Sequence, residues 1–98
     1  MGLWNIRENK KALLHRSADK YYSRLNQADK DRIDAALDDL EKEPPQGDIT
    51  PVSGRPGRFR VRVGKYRLLY RVKDNIILVT HIDPRGQVYK KKNKGGTR

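Results

Sequence analysis

Between Arg55 and Lys73 the chain sets eight basic side chains and no acidic one in nineteen residues, in alternation with apolar ones. Arg58, Arg60 and Arg62 fall on one side of a strand-period segment, with Phe59, Val61 and Val63 on the other. After Gly64, the residues Lys65, Arg67, Leu69, Arg71 and Lys73 oppose Tyr66, Leu68, Tyr70 and Val72. The chemistry open to two such rows is the gripping of phosphate, because each guanidinium presents a planar fork of donors that matches phosphate oxygens. An exposed sheet face must be polar and Arg tolerates strand geometry, which accounts for the alternation but not for the sign. Polar positions chosen for solubility alone would include Asp or Glu, and like charges side by side on paired strands repel. The run therefore predicts a polyanion-binding face.

Other chemistries find little support. With no Cys there is no disulfide, thiolate nucleophile or thiolate metal site. His15 and His81 sit on a predicted helix and a predicted strand with no partner at ligand spacing, and His81, on an apolar strand, reads as a packed residue. No phosphate-cradling Gly-rich loop, dinucleotide fingerprint or Ser nucleophile motif occurs. Asp38, Asp39, Glu41 and Glu43 read as the solvated side and end of a helix. Neither a metal nor a cofactor is expected.

The distribution of charge sharpens the first reading. Residues 1–54 hold nine basic against ten acidic side chains, whereas residues 55–98 hold fourteen against two, so the net charge of +11 is carried by the C-terminal half. A one-sided excess points to a polyanion, with nucleic acid foremost. At 98 residues the chain predicts one domain with a thin core of one helical layer on one sheet. No apolar stretch approaches a membrane span, and the N-terminus lacks the regions of a signal peptide, so a cytoplasmic protein without a membrane partner is expected.

The elements that must position these residues can be read in order. Trp4-Asn5-Ile6-Arg7 alternates as a short strand. From about Lys10, Leu14, Ala18, Tyr21 or Tyr22, and Leu25 recur at helical spacing and predict a first helix. Asn26 can cap a second, with Asp29 placed for a capping box and Ile33, Ala36, Leu37 and Leu40 as its buried stripe, until Pro44-Pro45 ends it. Residues 46–57 read as a loop. Three strands follow, Arg58–Val63, a second turning at Gly64-Lys65, and Ile76–Ile82, apolar on both faces as a central strand is; Gly86–Tyr89 adds a short last one. The expected class is α+β, a short N-terminal strand and a helical hairpin packed on a small, mainly antiparallel sheet of three to four C-terminal strands. Residues 1–91 would form the single domain and residues 92–98 a basic flexible tail.

The hairpin Phe59–Val72, the apolar strand after it and the segment Ile82-Asp83-Pro84-Arg85-Gly86-Gln87-Val88-Tyr89 resemble the RelE/ParE toxin superfamily of type II toxin-antitoxin systems, and its RelE branch most. The resemblance implies a ribosome-dependent, metal-independent mRNA endonuclease that inhibits translation and is silenced by a cognate antitoxin in a hetero-oligomer. It implies Arg67, Arg85 and Tyr89 as catalytic residues, the arginines on the scissile phosphate and Tyr89 in base stacking or proton transfer. Arg58, Arg60, Arg62, Lys65, Arg71, Lys90 and Lys91 are the expected RNA contacts. RNA cleavage needs a base for the 2′-hydroxyl, cations for the phosphorane and an acid for the leaving 5′-oxygen. Where some relatives carry lysine, this chain has Arg60 and Arg62, whose guanidinium cannot act as a base at neutral pH. The base is left unassigned: Tyr89 would need arginines to lower its pKa, and Asp83 reads as a salt-bridge partner of Arg85. A ParE-like inhibitor of DNA gyrase and a non-catalytic RNA-binding module are the alternatives. The antitoxin is expected as an acidic and apolar segment lying across the basic face or along the helical hairpin.

Overall fold

The computed structural model describes residues 10–84 of the 98. The elements run β1 (Lys11–Leu14), α1 (Arg16–Ser23), α2 (Gln27–Leu40), β2 (Asp48–Pro51), β3 (Arg58–Val63), β4 (Tyr66–Lys73) and β5 (Ile76–Asp83). They form one five-stranded sheet in the order β1-β5-β4-β3-β2, with β1 parallel to β5 and every other pairing antiparallel. The class is α+β, as the sequence implies, and β5 is an interior strand.

Two expectations are corrected. The helix expected from about Lys10 starts only at Arg16, because Lys11–Leu14 is a strand with Ala12 and Leu14 half-buried between the exposed Lys11 and Leu13. Four residues fit both periods, and the free edge of β5 decides between them. The Lys11 amide donates to the Asn75 carbonyl at 2.9 Å, and the His15 amide to that of Val79 at 2.8 Å. The loop expected over residues 46–57 contains β2, which pairs with β3 and turns Ile49 toward the core. Pro51 is tolerated there because an edge strand has donors to spare. The strands expected at Trp4–Arg7 and Gly86–Tyr89, and the tail over residues 92–98, lie outside the described residues.

Helix α2 begins as its sequence dictates, with the Asn26 side chain accepting from the Asp29 amide at 2.8 Å. The capping box is not completed in the expected way. The Asp29 carboxylate turns inward, is buried, and accepts from the Tyr66 hydroxyl at 2.6 Å, with Arg32 at 3.5 Å. That bond fastens α2 to β4. It also holds the Tyr66 phenol up at about 12, through the hydrogen bond to Asp29 first and burial second.

One face of the sheet carries the core. Ala18 from α1, Ile33 and Leu40 from α2, Val61 from β3, Tyr66, Leu68 and Tyr70 from β4, and Ile77, Val79 and Ile82 from β5 are all buried. Each buried Ile, Leu or Val contributes about 1.5–3 kcal/mol. Phe59 stacks on Tyr70 with ring centroids 5.5 Å apart, and burial pushes the Tyr70 phenol up to about 12. With the apolar side chains of β3 and β4 committed to this face, their basic ones are forced to the other.

Candidate phosphate-binding face

The hairpin between β3 and β4 sets the register of the basic face. Gly64 takes the left-handed φ of 60° that a two-residue hairpin loop asks of its first residue, and Val63 then pairs with Tyr66. Arg62 thereby lies opposite Arg67, Arg60 opposite Leu69, and Arg58 opposite Arg71. Extended onto β2 and β5, the pairing makes three rows across the sheet: Asp48, Arg62, Arg67 and Asp83; then Thr50, Arg60, Leu69 and His81; then Arg58, Arg71 and Leu78.

The rows differ in charge. In the first, both arginines meet a carboxylate: Arg67 Nη2 is 3.0 Å from Asp83 Oδ2, and Arg62 Nε is 3.9 Å from Asp48 Oδ2. The Arg67 pair is partly buried, with side chains 28% and 15% exposed, whereas Asp48 is 70% exposed and its pair is screened by water. The acid missing from the Arg55–Lys73 run is thus supplied across the sheet, from the neighbouring strands. The other two rows contain no carboxylate.

Over those rows lies an open cavity of about 370 Å³, whose lining includes Arg58, Arg60, Arg67, Arg71, Thr80 and His81. A smaller one of about 140 Å³ sits between Thr50, Arg60 and Arg67 and the two residues of the Arg62–Asp48 pair. The Nε atoms of Arg60 and Arg67 are buried and find no hydrogen-bond partner among the described residues. Buried donors are ordinarily paired, and leaving one unpaired costs about 1–3 kcal/mol. Both of these unmet donors belong to arginines of the basic face.

The structure therefore brings Arg58, Arg60, Arg62, Arg67 and Arg71 together on one face. Lys65 is set apart: it occupies the hairpin tip with its ammonium 5.6 Å from the Tyr66 ring centroid, on the helical side. Arg85, Tyr89, Lys90 and Lys91 lie outside the described residues. The described partner of Asp83 is Arg67; the bridge expected to Arg85 involves a residue outside that range.

Two features of the face escape the sequence reading. Arg55, in the turn before β3, joins the cavity lining. More consequential is a bulge in β5: Leu69 pairs with His81 but the next residue, Tyr70, pairs with Val79, which leaves Thr80 as an extra residue. Val79 and Ile82 are both buried, so Thr80 and His81 between them both turn to the basic face. The packed histidine expected at position 81 is an exposed one among arginines. The spacing of the buried residues Ile77, Val79 and Ile82, two and then three, is the signal in the sequence that could have located it.

Two helices on one face of a mixed sheet, with an arginine-lined opposite face, define a small α+β protein with a cationic sheet face. A family model described as the ParE toxin of the type II toxin-antitoxin system parDE matches residues 11–89. The chain belongs to that toxin family, within the RelE/ParE superfamily. Solved structures of RelE toxins share its fold. The archaeal RelE–RelB complex from Pyrococcus horikoshii OT3 is 28% identical, with 82% of this chain and 99% of that one covered at a TM-score of 0.70. The RelBE2 toxin-antitoxin complex from Mycobacterium tuberculosis is 25% identical, covering 78% and 98% at 0.65. The isolated E. coli RelE toxin, at 20% identity, covers 87% and 96% at 0.66 and shows the fold alone. The first two of these support the RelE-like branch for this chain. No curated protein matches it. Among the described residues no helix is long and apolar enough to cross a membrane.

Proposed function

We propose that this toxin is a ribosome-dependent mRNA endonuclease of the RelE type, acting in the cytoplasm without a metal or cofactor and silenced by a cognate antitoxin. The observation that carries the reading is the cavity over the carboxylate-free rows, where Arg58, Arg60 and Arg71 are joined by Arg67. Arg67 holds the scissile phosphate beside Arg60, and Arg58 and Arg71 hold the flanking backbone. Arg85 and Tyr89 complete the site, and Arg62, Lys90 and Lys91 extend the contact with RNA. Residues 1–91 act as the single toxin domain, with residues 92–98 a basic tail.

Toxins similar to this one have been solved as RelE–RelB complexes, which supports a protein antitoxin here. The basic face suits an acidic segment that neutralises the arginines and excludes RNA. Adding the full chain to a translating extract and mapping mRNA 5′ ends tests the proposal. New ends inside translated codons are expected, and fewer of them with Arg67→Ala or Tyr89→Phe; their absence refutes it. The ParE description of the matching family model favours a second reading, inhibition of DNA gyrase. A supercoiling assay separates the two, since only a gyrase toxin traps cleaved DNA.

A further inference from the structure

The arginines suit a phosphate, but none of them takes a proton at neutral pH. We propose that His81 is the general base of the cleavage reaction, abstracting the 2′-hydroxyl proton through Nε2. The assignment rests on the endonuclease reading and adds to it the residue that starts the chemistry.

Geometry makes the case. The bulge at Thr80 carries the His81 ring onto the basic face, where it lines the same cavity as Arg60 and Arg67. Within the row, His81, Leu69 and Arg60 lie on successive strands, so a phosphate on Arg60 and Arg67 has the imidazole on its β5 side. The Thr80 hydroxyl donates to the Leu69 carbonyl at 3.3 Å, and its oxygen lies 3.1 Å from His81 Nδ1. With the hydroxyl proton spent on that carbonyl, Thr80 can only accept from the ring. Nδ1 therefore carries the proton of the neutral imidazole, and Nε2 is left as the acceptor. Thr80 is in turn held from the other side, its carbonyl accepting from the Ser17 hydroxyl at 3.2 Å.

The charged groups around the ring are consistent with this role. From β3, β4 and the turn before β3 come Arg55, Arg58, Arg60, Arg67 and Arg71. On its own strand the nearest is Asp83, committed to Arg67. On the β1 side the titratable neighbour is His15, whose amide is bonded to the Val79 carbonyl. Among the described residues no carboxylate lines the cavity in competition for the 2′-hydroxyl proton.

The step balances without a co-reactant. Nε2 takes the 2′-hydroxyl proton, and the 2′-oxygen bonds to phosphorus. The bond from phosphorus to the 5′-oxygen breaks, and that oxygen takes a proton from an acid. The products are a 2′,3′-cyclic phosphate and a 5′-hydroxyl.

The test is single-turnover cleavage of a defined mRNA on programmed ribosomes by the full-length chain and by His81→Gln, across a pH series. His81 is exposed, so the variant is expected to keep the wild-type melting temperature. Loss of a general base lowers the rate by about 10²–10⁴-fold. The acidic limb of the pH–rate profile should vanish in His81→Gln, and free imidazole should restore part of the rate to His81→Ala. A wild-type chain that cuts nothing removes the endonuclease reading and the base with it. A wild-type chain that cuts, beside a His81→Gln variant with the same rate and pH profile, removes the base alone. So does a 3′-hydroxyl at the new end, since no 2′-oxygen has then attacked.

Discussion

Replacing Asp83 by Asn should move stability and RNA affinity in opposite directions. Asp83 is Arg67's carboxylate partner at 3.0 Å, in a pair that is mostly sheltered from water. Charge-assisted hydrogen bonds of this kind contribute about 1.5–3 kcal/mol. Asn keeps an acceptor oxygen and loses the charge, so a cost of about 1 kcal/mol is expected, which lowers the melting temperature by roughly 4–8 °C in a domain of this size. The same change releases Arg67 to a phosphate. One added contact to a single strand steepens the slope of log K against log salt by about 0.7, which at physiological salt is about a fourfold gain in affinity. Fluorescence anisotropy of a single-stranded RNA oligonucleotide over a salt series reads the affinity and its slope, and thermal melting reads the stability. Arg67→Ala in the Asp83→Asn background should abolish the gain. A lowered melting temperature with an unchanged slope would refute the idea that Arg67 faces the phosphate, and a loss of affinity would mean that the Asp83 carboxylate itself assists binding.

Three further outcomes follow from the core and caps. Leu68 is fully buried at the centre of β4, and Leu68→Ala should cost about 2–5 kcal/mol in urea unfolding. Asn26→Ala removes the acceptor for the Asp29 amide and should cost about 1 kcal/mol by the same measurement. Alkali should destabilise the fold in a defined window: Tyr22, Tyr66 and Tyr70 hold their protons to about 12 when folded, against 10.0 for an ordinary phenol. Folded-state values raised in this way give stability that is complete below pH ~10 and is lost on rising to ~12, because there the unfolded chain has released protons that the folded one keeps. Melting temperatures through that range should fall, and in Tyr66→Phe they should fall less steeply from a lower starting value.

The hairpin was the most legible part of the molecule. Strict alternation from Arg58 to Lys73 around a two-residue loop leaves one register that buries Val61, Leu68 and Tyr70 together, and the basic rows follow from it. Helix α2 was legible for a similar reason, having a cap, an apolar stripe and a following proline pair in agreement. The short strands were not. Four residues at Lys11–Leu14 satisfy helical and strand spacing alike, and Asp48–Pro51 is an edge strand embedded in turn-forming residues, so both are decided by neighbours distant in sequence. The counterions were hidden for a related reason. A charge count along the chain is one-dimensional, while Asp48 and Asp83 reach the arginines across strands.

The displacement of His81 follows from a conflict within β5. Regular alternation continued from Val79 would point His81 into the core and Ile82 into water. Exposing Ile82 forfeits about 1.5–3 kcal/mol, and burying an imidazole without a partner adds a cost of the same order. Inserting Thr80 as an extra residue avoids both, at the loss of regular ladder pairing that the Thr80 hydroxyl partly makes good through the Leu69 carbonyl. The bulge is therefore dictated by the buried set Ile77, Val79 and Ile82, and a single Thr80 deletion should expose it. With Thr80 deleted, regular alternation from Val79 keeps His81 on the basic face and Ile82 in the core, so the fold should survive while the ring loses the acceptor of its Nδ1 proton and cleavage falls in part. His81→Gln should reduce cleavage alone. The smaller loss expected of the deletion distinguishes a residue that orients the base from the base itself.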